Sequence, residues 1–401
     1  MKLCKCDIFV ALWGVYSLQH VWYERGYVNQ VALLLMLLIG IWSIGEYFLS
    51  NRIRKSPLLN AVFALVVMYS AYGFFSIVFG NGIPEIPEIE YPKRSLASLL
   101  PIFLFYVGAS KGLITPSRIK IYFWVMLSIA IAFFFGMKFE RQEALGVLEI
   151  TNNAGYIFVP LISLLYFFPK KPLLQYILLG TLLLFILLSM KRGAIAIGTI
   201  CGAIYMFSNL RSASVKTRVI SIFLSIVFLV ASFIYVGHTM ETSDYFVRRL
   251  EKTQMGDSSG RDYLYETILN AVLSDKNPIN LLVGHGADST VIFAGNYAHQ
   301  DWLETLCNNG LLGVAILFTF FVVFARVVWR NRESFSRPMF YSFLTVFTLV
   351  FLKTLFSMSI QNLDLSTTLL LGYFAYWDLI KRQEEKIRRA QAAPIWGNRR
   401  I

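Results

Sequence analysis

Charge is scarce in this chain. Only 15% of its 401 residues are Asp, Glu, Lys or Arg, against 56% hydrophobic, and several apolar runs reach the ~20 residues that a helix needs to cross a bilayer. That balance excludes an ordinary soluble domain. Cysteine is scarce too: Cys4, Cys6, Cys201 and Cys307 show no paired pattern and no zinc-ligand spacing, so neither a disulfide framework nor a zinc site is expected. No DxD, HExxH, P-loop or GxSxG motif is present. A metal-dependent sugar transferase, an ATPase and a serine hydrolase all lose support. No internal repeat stands out, which counts against a transporter built from repeated halves. The first apolar run has no convincing cleavage site after it and is expected to be a retained helix.

What is there reads as an all-α polytopic membrane protein with about 12 transmembrane helices and one long, partly helical loop. Spans are expected near 7–23, 28–49, 58–79, 96–113, 119–138, 152–168, 173–189, 193–210, 219–236, 311–329, 339–357 and 366–380. The chain then divides into nine spans (1–236), a loop (237–310), three spans (311–380) and a basic tail (381–401). A formal net charge of +13 could suggest nucleic acid. The excess Lys and Arg instead lie in short segments between spans, where they set membrane orientation, with both termini and the tail cytoplasmic. Membrane lipids are the expected partner of that tail, and no nucleic acid is.

The long loop falls on the outer side and carries ten acidic residues against five basic, so any phosphate there must be held by particular residues. Three sites stand out. Lys191 and Arg192 form nearly the whole connection of a tight hairpin, on the side where cations are disfavoured. Charges at that depth usually face a partner or a polar cavity, snorkelling being the alternative. Ser259-x-x-Asp262 is a capping box, so a helix is expected to begin there with Gly260 and Arg261 in its first turn, a place that favours an anion. Arg261 adds a planar fork suited to phosphate oxygens. His299 sits near the start of a short amphipathic helix marked by Trp302, Leu303 and Leu306, and Asn308-Asn309-Gly310 break that helix before the next apolar run. A nearby helix N-terminus disfavours imidazolium, so a neutral ring suited to general-base work is expected. Tyr297, Asp301, Glu304 and Asn152 are candidates for acceptor or sugar binding or for orienting the loop, with a solvated helix face as the plainer reading of the two carboxylates. His285, in Gly284-His285-Gly286, is expected to shape a turn. Arg248, Arg249 and Lys252 read as a solvated face.

The order LLSMKRGA, SGRDYLYETI, LLVGHGADS, AHQDWLETLCNNGLLG resembles the O-antigen ligase and polymerase superfamily, bacterial inner-membrane glycosyltransferases of the GT-C type. The family's loop signature, His-Asn-x-x-Leu followed by Gly-x-x-Gly, here reads His299-Gln300-Asp301-Trp302-Leu303 and Gly310-Leu311-Leu312-Gly313. Gln300 replaces the usual Asn and keeps an amide there. The resemblance implies a GT-C-like fold, an undecaprenyl-pyrophosphate-linked glycan as donor, and no metal or cofactor. It assigns Arg192 and Arg261, with Lys191, to the pyrophosphate and His299 to the acceptor hydroxyl, on the outer face of the inner membrane. The expected activity is that of an O-antigen polymerase, with the next lipid-linked repeat unit as acceptor and a chain-length regulator among the partners. The alternative is an O-antigen ligase acting on a lipid A core. A flippase for the same lipid-linked glycans is the rival from another class.

Overall fold

The computed structural model describes residues 3–22, 26–80, 82–84, 86–145, 153–168, 172–212 and 260–392, with isolated positions between 215 and 251. Within them the chain is helical, with no strand. Eight helices precede the undescribed segment: α1 (Lys5–Trp22), α2 (Tyr27–Leu49), α3 (Pro57–Phe79), α4 (Glu90–Ser110), α5 (Pro116–Leu145), α6 (Gly155–Leu164), α7 (Pro172–Leu188) and α8 (Arg192–Ser212). Six follow it: α9 (Arg261–Ser274), α10 (Pro278–Val283), α11 (Ser289–Ala294), α12 (Asp301–Arg330), α13 (Arg337–Phe356) and α14 (Leu365–Ala392). Pro57, Pro116, Pro172 and Pro278 each open a helix at the first position, where the missing N–H costs no bond.

Six of these helices are long and apolar enough to cross a membrane: α2, α3, α5 over Pro116–Met137, α8 over Arg192–Leu210, α12 and α13. Each expected span but one coincides with a described helix; the ninth, 219–236, lies almost wholly outside the described residues. Three boundaries differ. α4 starts at Glu90, before its apolar run, and α5 continues to Leu145. α14 passes without a break from its apolar half into the basic tail. The protein is thus an all-α polytopic membrane protein.

α4 is the axis of the bundle. Every residue from Leu99 to Ala109 in it is buried, because α2, α3 and α14 pack around it. α14 approaches closest at Gly372, where a Cβ would stand 2.5 Å from the Ile102 carbonyl oxygen; small residues allow such backbone contact between membrane helices. α2 lies at the rim. Its buried residues Asn29, Ala32, Met36, Gly40, Ser43 and Tyr47 form one stripe, and the opposite face presents Leu34, Leu38, Ile41 and Trp42 outward. An exposed apolar face of that kind is what lipid requires of a span.

Candidate functional site

The site lies where α9, the α7–α8 turn and the segment before α12 meet. α9 packs Ile268 and Val272 on Ala298, Leu303 and Cys307, a small apolar core separate from the main one. This core holds the head of α9 against the loop that bears His299. α9 starts one residue later than the expected capping box would place it. The cap is Gly260, in left-handed backbone (φ 77°) and without a side-chain bond, and Ser259 lies outside the described residues. Glycine takes that conformation without strain, so it replaces the hydroxyl cap as the helix start signal. Arg261 follows as the first helical residue, half-buried.

His299 sits two residues before α12 with φ 53°, a conformation uncommon outside glycine and strain that needs surrounding structure to hold it. Two carboxylates supply that structure from behind. Glu304 accepts the Ala298 N–H (2.8 Å), the Thr290 hydroxyl (2.6 Å) and the Asn308 amide (3.2 Å). Asp301 accepts the N–H groups of Ser359 (2.7 Å) and Ile360 (3.1 Å). Both are 2% exposed, which corrects the expectation of a solvated helix face. Neither bonds the His299 ring. They are fasteners, because a carboxylate buried this deeply needs every available donor.

The ring itself is half-buried, and its pKa is lowered from 6.5, first by burial and then by the positive charges of Arg261 and Lys191. Burial and the two cations thus act in the direction of a neutral imidazole. Lys191 reaches this place from the hairpin. Met190 turns with φ 51°, and Lys191 gives its carbonyl to the Ile195 N–H (3.0 Å) as the cap of α8. Arg192 is the first residue of that helix, half-buried. Gly193, next to it, lies against the hydroxyl of Tyr156 from α6. The Arg261 charge also acts on Tyr156. The structure thus gathers Lys191, Arg261 and His299, with Arg192 at the adjoining helix head. Asn152, Arg248, Arg249 and Lys252 lie outside the described residues.

Three residues around this cluster escaped the sequence reading. Tyr156 is one. Lys353, 5% exposed near the end of α13, stands 5.5 Å from the centre of the Tyr156 ring and is held by the Asn362 carbonyl (2.9 Å) and Asp364 (3.3 Å). A lone lysine in an apolar helix was its available signal. Arg94 is the third: it pairs with Asp288 at 2.6 Å and stacks on the Tyr297 ring with 4.7 Å to the centroid. Its signal was the Lys93-Arg94 pair beside an acidic outer connection. Tyr297 is thereby an anchor of the His299 loop on α4.

Asp288 is 1% exposed and Arg94 supplies its cation. Arg94→Ala should therefore destabilise the protein by on the order of 3 kcal/mol, as expected when one member of a buried pair is removed. A lowered unfolding temperature of the detergent-solubilised protein would report it. Arg94→Lys should recover part of the loss, since charge returns without the planar stack on Tyr297.

His285 shapes its turn as expected. Its ring bonds Asp275 (2.9 Å) and its N–H donates to the Cys307 carbonyl (2.9 Å). Gly284 and Gly310 then cross back to back, and the backbone of α12 breaks at Gly310 (φ 64°, ψ −164°), the break foreseen at Asn308-Asn309-Gly310. Among the described residues no group of three or more His, Cys, Asp or Glu is arranged to hold a metal ion.

Fold and site together define a multi-span membrane protein with a cationic, histidine-bearing cluster at helix ends, built on a long inter-span segment. Residues 177–318, which include that cluster, match the family model described as O-Antigen ligase, in line with the resemblance carried by the sequence motifs. No curated protein matches the chain.

Proposed function

We propose that the protein is a glycosyltransferase that moves a growing surface glycan from undecaprenyl pyrophosphate to the next lipid-linked repeat unit, an O-antigen polymerase of the inner membrane. The gathering of Lys191, Arg261 and His299 from three distant stretches carries this reading. A flippase or a scaffold has no use for a base held beside an anion site. In the proposed step the acceptor hydroxyl gives its proton to His299 as its oxygen attacks the anomeric carbon. The bond from that carbon to the pyrophosphate oxygen breaks, and the electron pair leaves with undecaprenyl pyrophosphate. Arg261, Lys191 and Arg192 stabilise the growing negative charge, and Tyr156 is positioned to line the same place.

The printed description of the matched family, O-Antigen ligase, favours a second acceptor, a lipid A core. One experiment separates the two. Deleting the gene and resolving the surface glycolipids on a gel should leave core bearing a single repeat if the protein is a polymerase. Core alone, with polymer retained on the carrier lipid, would mean a ligase. An unchanged ladder would remove both.

The lowered pKa of His299 gives the reaction a pH signature. The neutral base is the working form, so transfer at low donor concentration should fall only as pH drops below 6.5. The Arg261 charge helps to hold that pKa down. Arg261→Gln should therefore move the acidic limb to higher pH, whereas Arg261→Lys keeps a charge and should largely keep the limb. A pH–rate profile that ignores the charge at 261 would mean that another group titrates.

A further inference from the structure

None of the six residues of α10 is buried. Ile279 is 62% exposed and Leu282 55%, with Leu273 of α9 beside them at 71%. Yet this helix is firmly attached. Asn277 caps it by accepting the Ile279 N–H (3.1 Å), Tyr72 of α3 donates its hydroxyl to the Val283 carbonyl, and the Leu282 carbonyl lies against Gly310. A fixed helix with an uncovered apolar face faces something other than water.

Depth along α3 identifies what it faces. Tyr72 precedes the last residue of that span, Phe79, by seven positions, so α3 continues about 10 Å beyond the level where it meets α10. This last part of α3 is apolar on its free side, with Phe74, Phe75 and Phe79 exposed. On the other flank the spanning part of α12 starts at once past Gly310 with Leu311 and Leu312, both exposed. The face of α10 is continuous with two surfaces that face lipid. The exposed stripe of α9 changes in the same direction, from Asp262 and Glu266 to Leu269 and Leu273. The one carboxylate at the turn, Asp275, is satisfied locally by Asn277 N–H (2.8 Å), the Asn280 amide (2.7 Å) and the His285 ring (2.9 Å), as a carboxylate near hydrocarbon must be.

We propose that α10 is a membrane-interface helix whose Ile279, Leu281 and Leu282, with Leu273, seat in the acyl chains around α3 and α12. Such helices sit about 5–10 Å into the boundary between headgroups and chains. For the proposed transfer, this depth keeps the base where a lipid-borne pyrophosphate already lies.

The test uses the full chain in vesicles of phosphatidylethanolamine and phosphatidylglycerol. Nitroxide labels go on Ile279→Cys and Leu282→Cys, with Glu266→Cys on the exposed polar part of α9 as reference. The signal of identically treated parent chain is subtracted, since three native cysteines are buried and Cys4 is partly so. The ratio of accessibility to oxygen over a water-soluble nickel chelate is expected to be severalfold higher at 279 and 282 than at 266. An equal ratio would place α10 in water and overturn the proposal. Exclusion of both reagents at 282 would mean a protein cover, a second copy included, and would overturn it as well. Transfer is not read in this experiment, so it can fail while the proposed activity stands.

Discussion

His299→Asn is expected to slow glycan transfer about 10²- to 10⁴-fold, the usual loss when a general base is removed, while donor binding is unchanged. Asparagine is the right substitute because position 299 has φ 53°, which Asn tolerates better than Ala. The variant then tests chemistry with little added strain. Arg261→Ala should fail differently. The pyrophosphate is charged before, during and after transfer, so loss of the guanidinium weakens donor binding and also slows bond breaking. Arg261→Lys keeps charge but not the planar fork and should rescue only in part. A donor titration beside a transfer assay, on variants matched for unfolding temperature, separates these outcomes. If His299→Asn turned over normally, or lost donor binding as badly as Arg261→Ala, the assignment of His299 as base would be wrong.

Gly310→Ala is expected to destroy the folded state, at a cost of more than about 3 kcal/mol. Two effects add. The backbone at 310 (φ 64°, ψ −164°) is in a region that is essentially restricted to glycine. A Cβ there would also run into the Gly284 nitrogen and the Leu282 carbonyl, and backbone cannot move aside as a flexible side chain can. Gly284 is in the mirrored position, with φ 80° and its own Cβ directed at Asn308 and Asn309. Loss of monodisperse protein after detergent extraction would report the collapse. A Gly310→Ala protein that extracts and melts like the parent would show that the crossing is not needed. Gly180 of α7, where an added Cβ would meet nothing within 4 Å, is a control for the effect of an added methyl within a helix.

Much of the fold could be read from the chain because apolar runs of bilayer length leave few options. The same logic exposed Lys191, which interrupts such runs, whereas Arg261 and His299 stood out within the polar loop as residues at expected helix starts. Loop orientation was among the readings for Asp301 and Glu304, but their burial was hidden for a definable reason. Trp302, Leu303 and Leu306 mark one buried face, but the first turn of α12 is enclosed on its other faces too. α11 covers Glu304 through Thr290, and the Ser359–Ile360 backbone covers Asp301. Periodicity reports one buried side and cannot report burial all round. Arg94 was hidden by separation, as its partner Asp288 lies 194 residues away. The cap of α9 was missed because a left-handed glycine and a serine cap are both plausible starts, and only backbone angles separate them.

Asp301 links two parts of the molecule that look unrelated. Its carboxylate holds the N–H groups of Ser359 and Ile360, in the short connection between α13 and α14, two residues from His299. The aim of the proposed base is thus set in part by a linker outside the loop that carries it. Lengthening that linker by one residue would leave the spans, the cations and the imidazole all present. It would still turn the ring away from its target, so inactivating changes should cluster in 357–364 as well as in the loop.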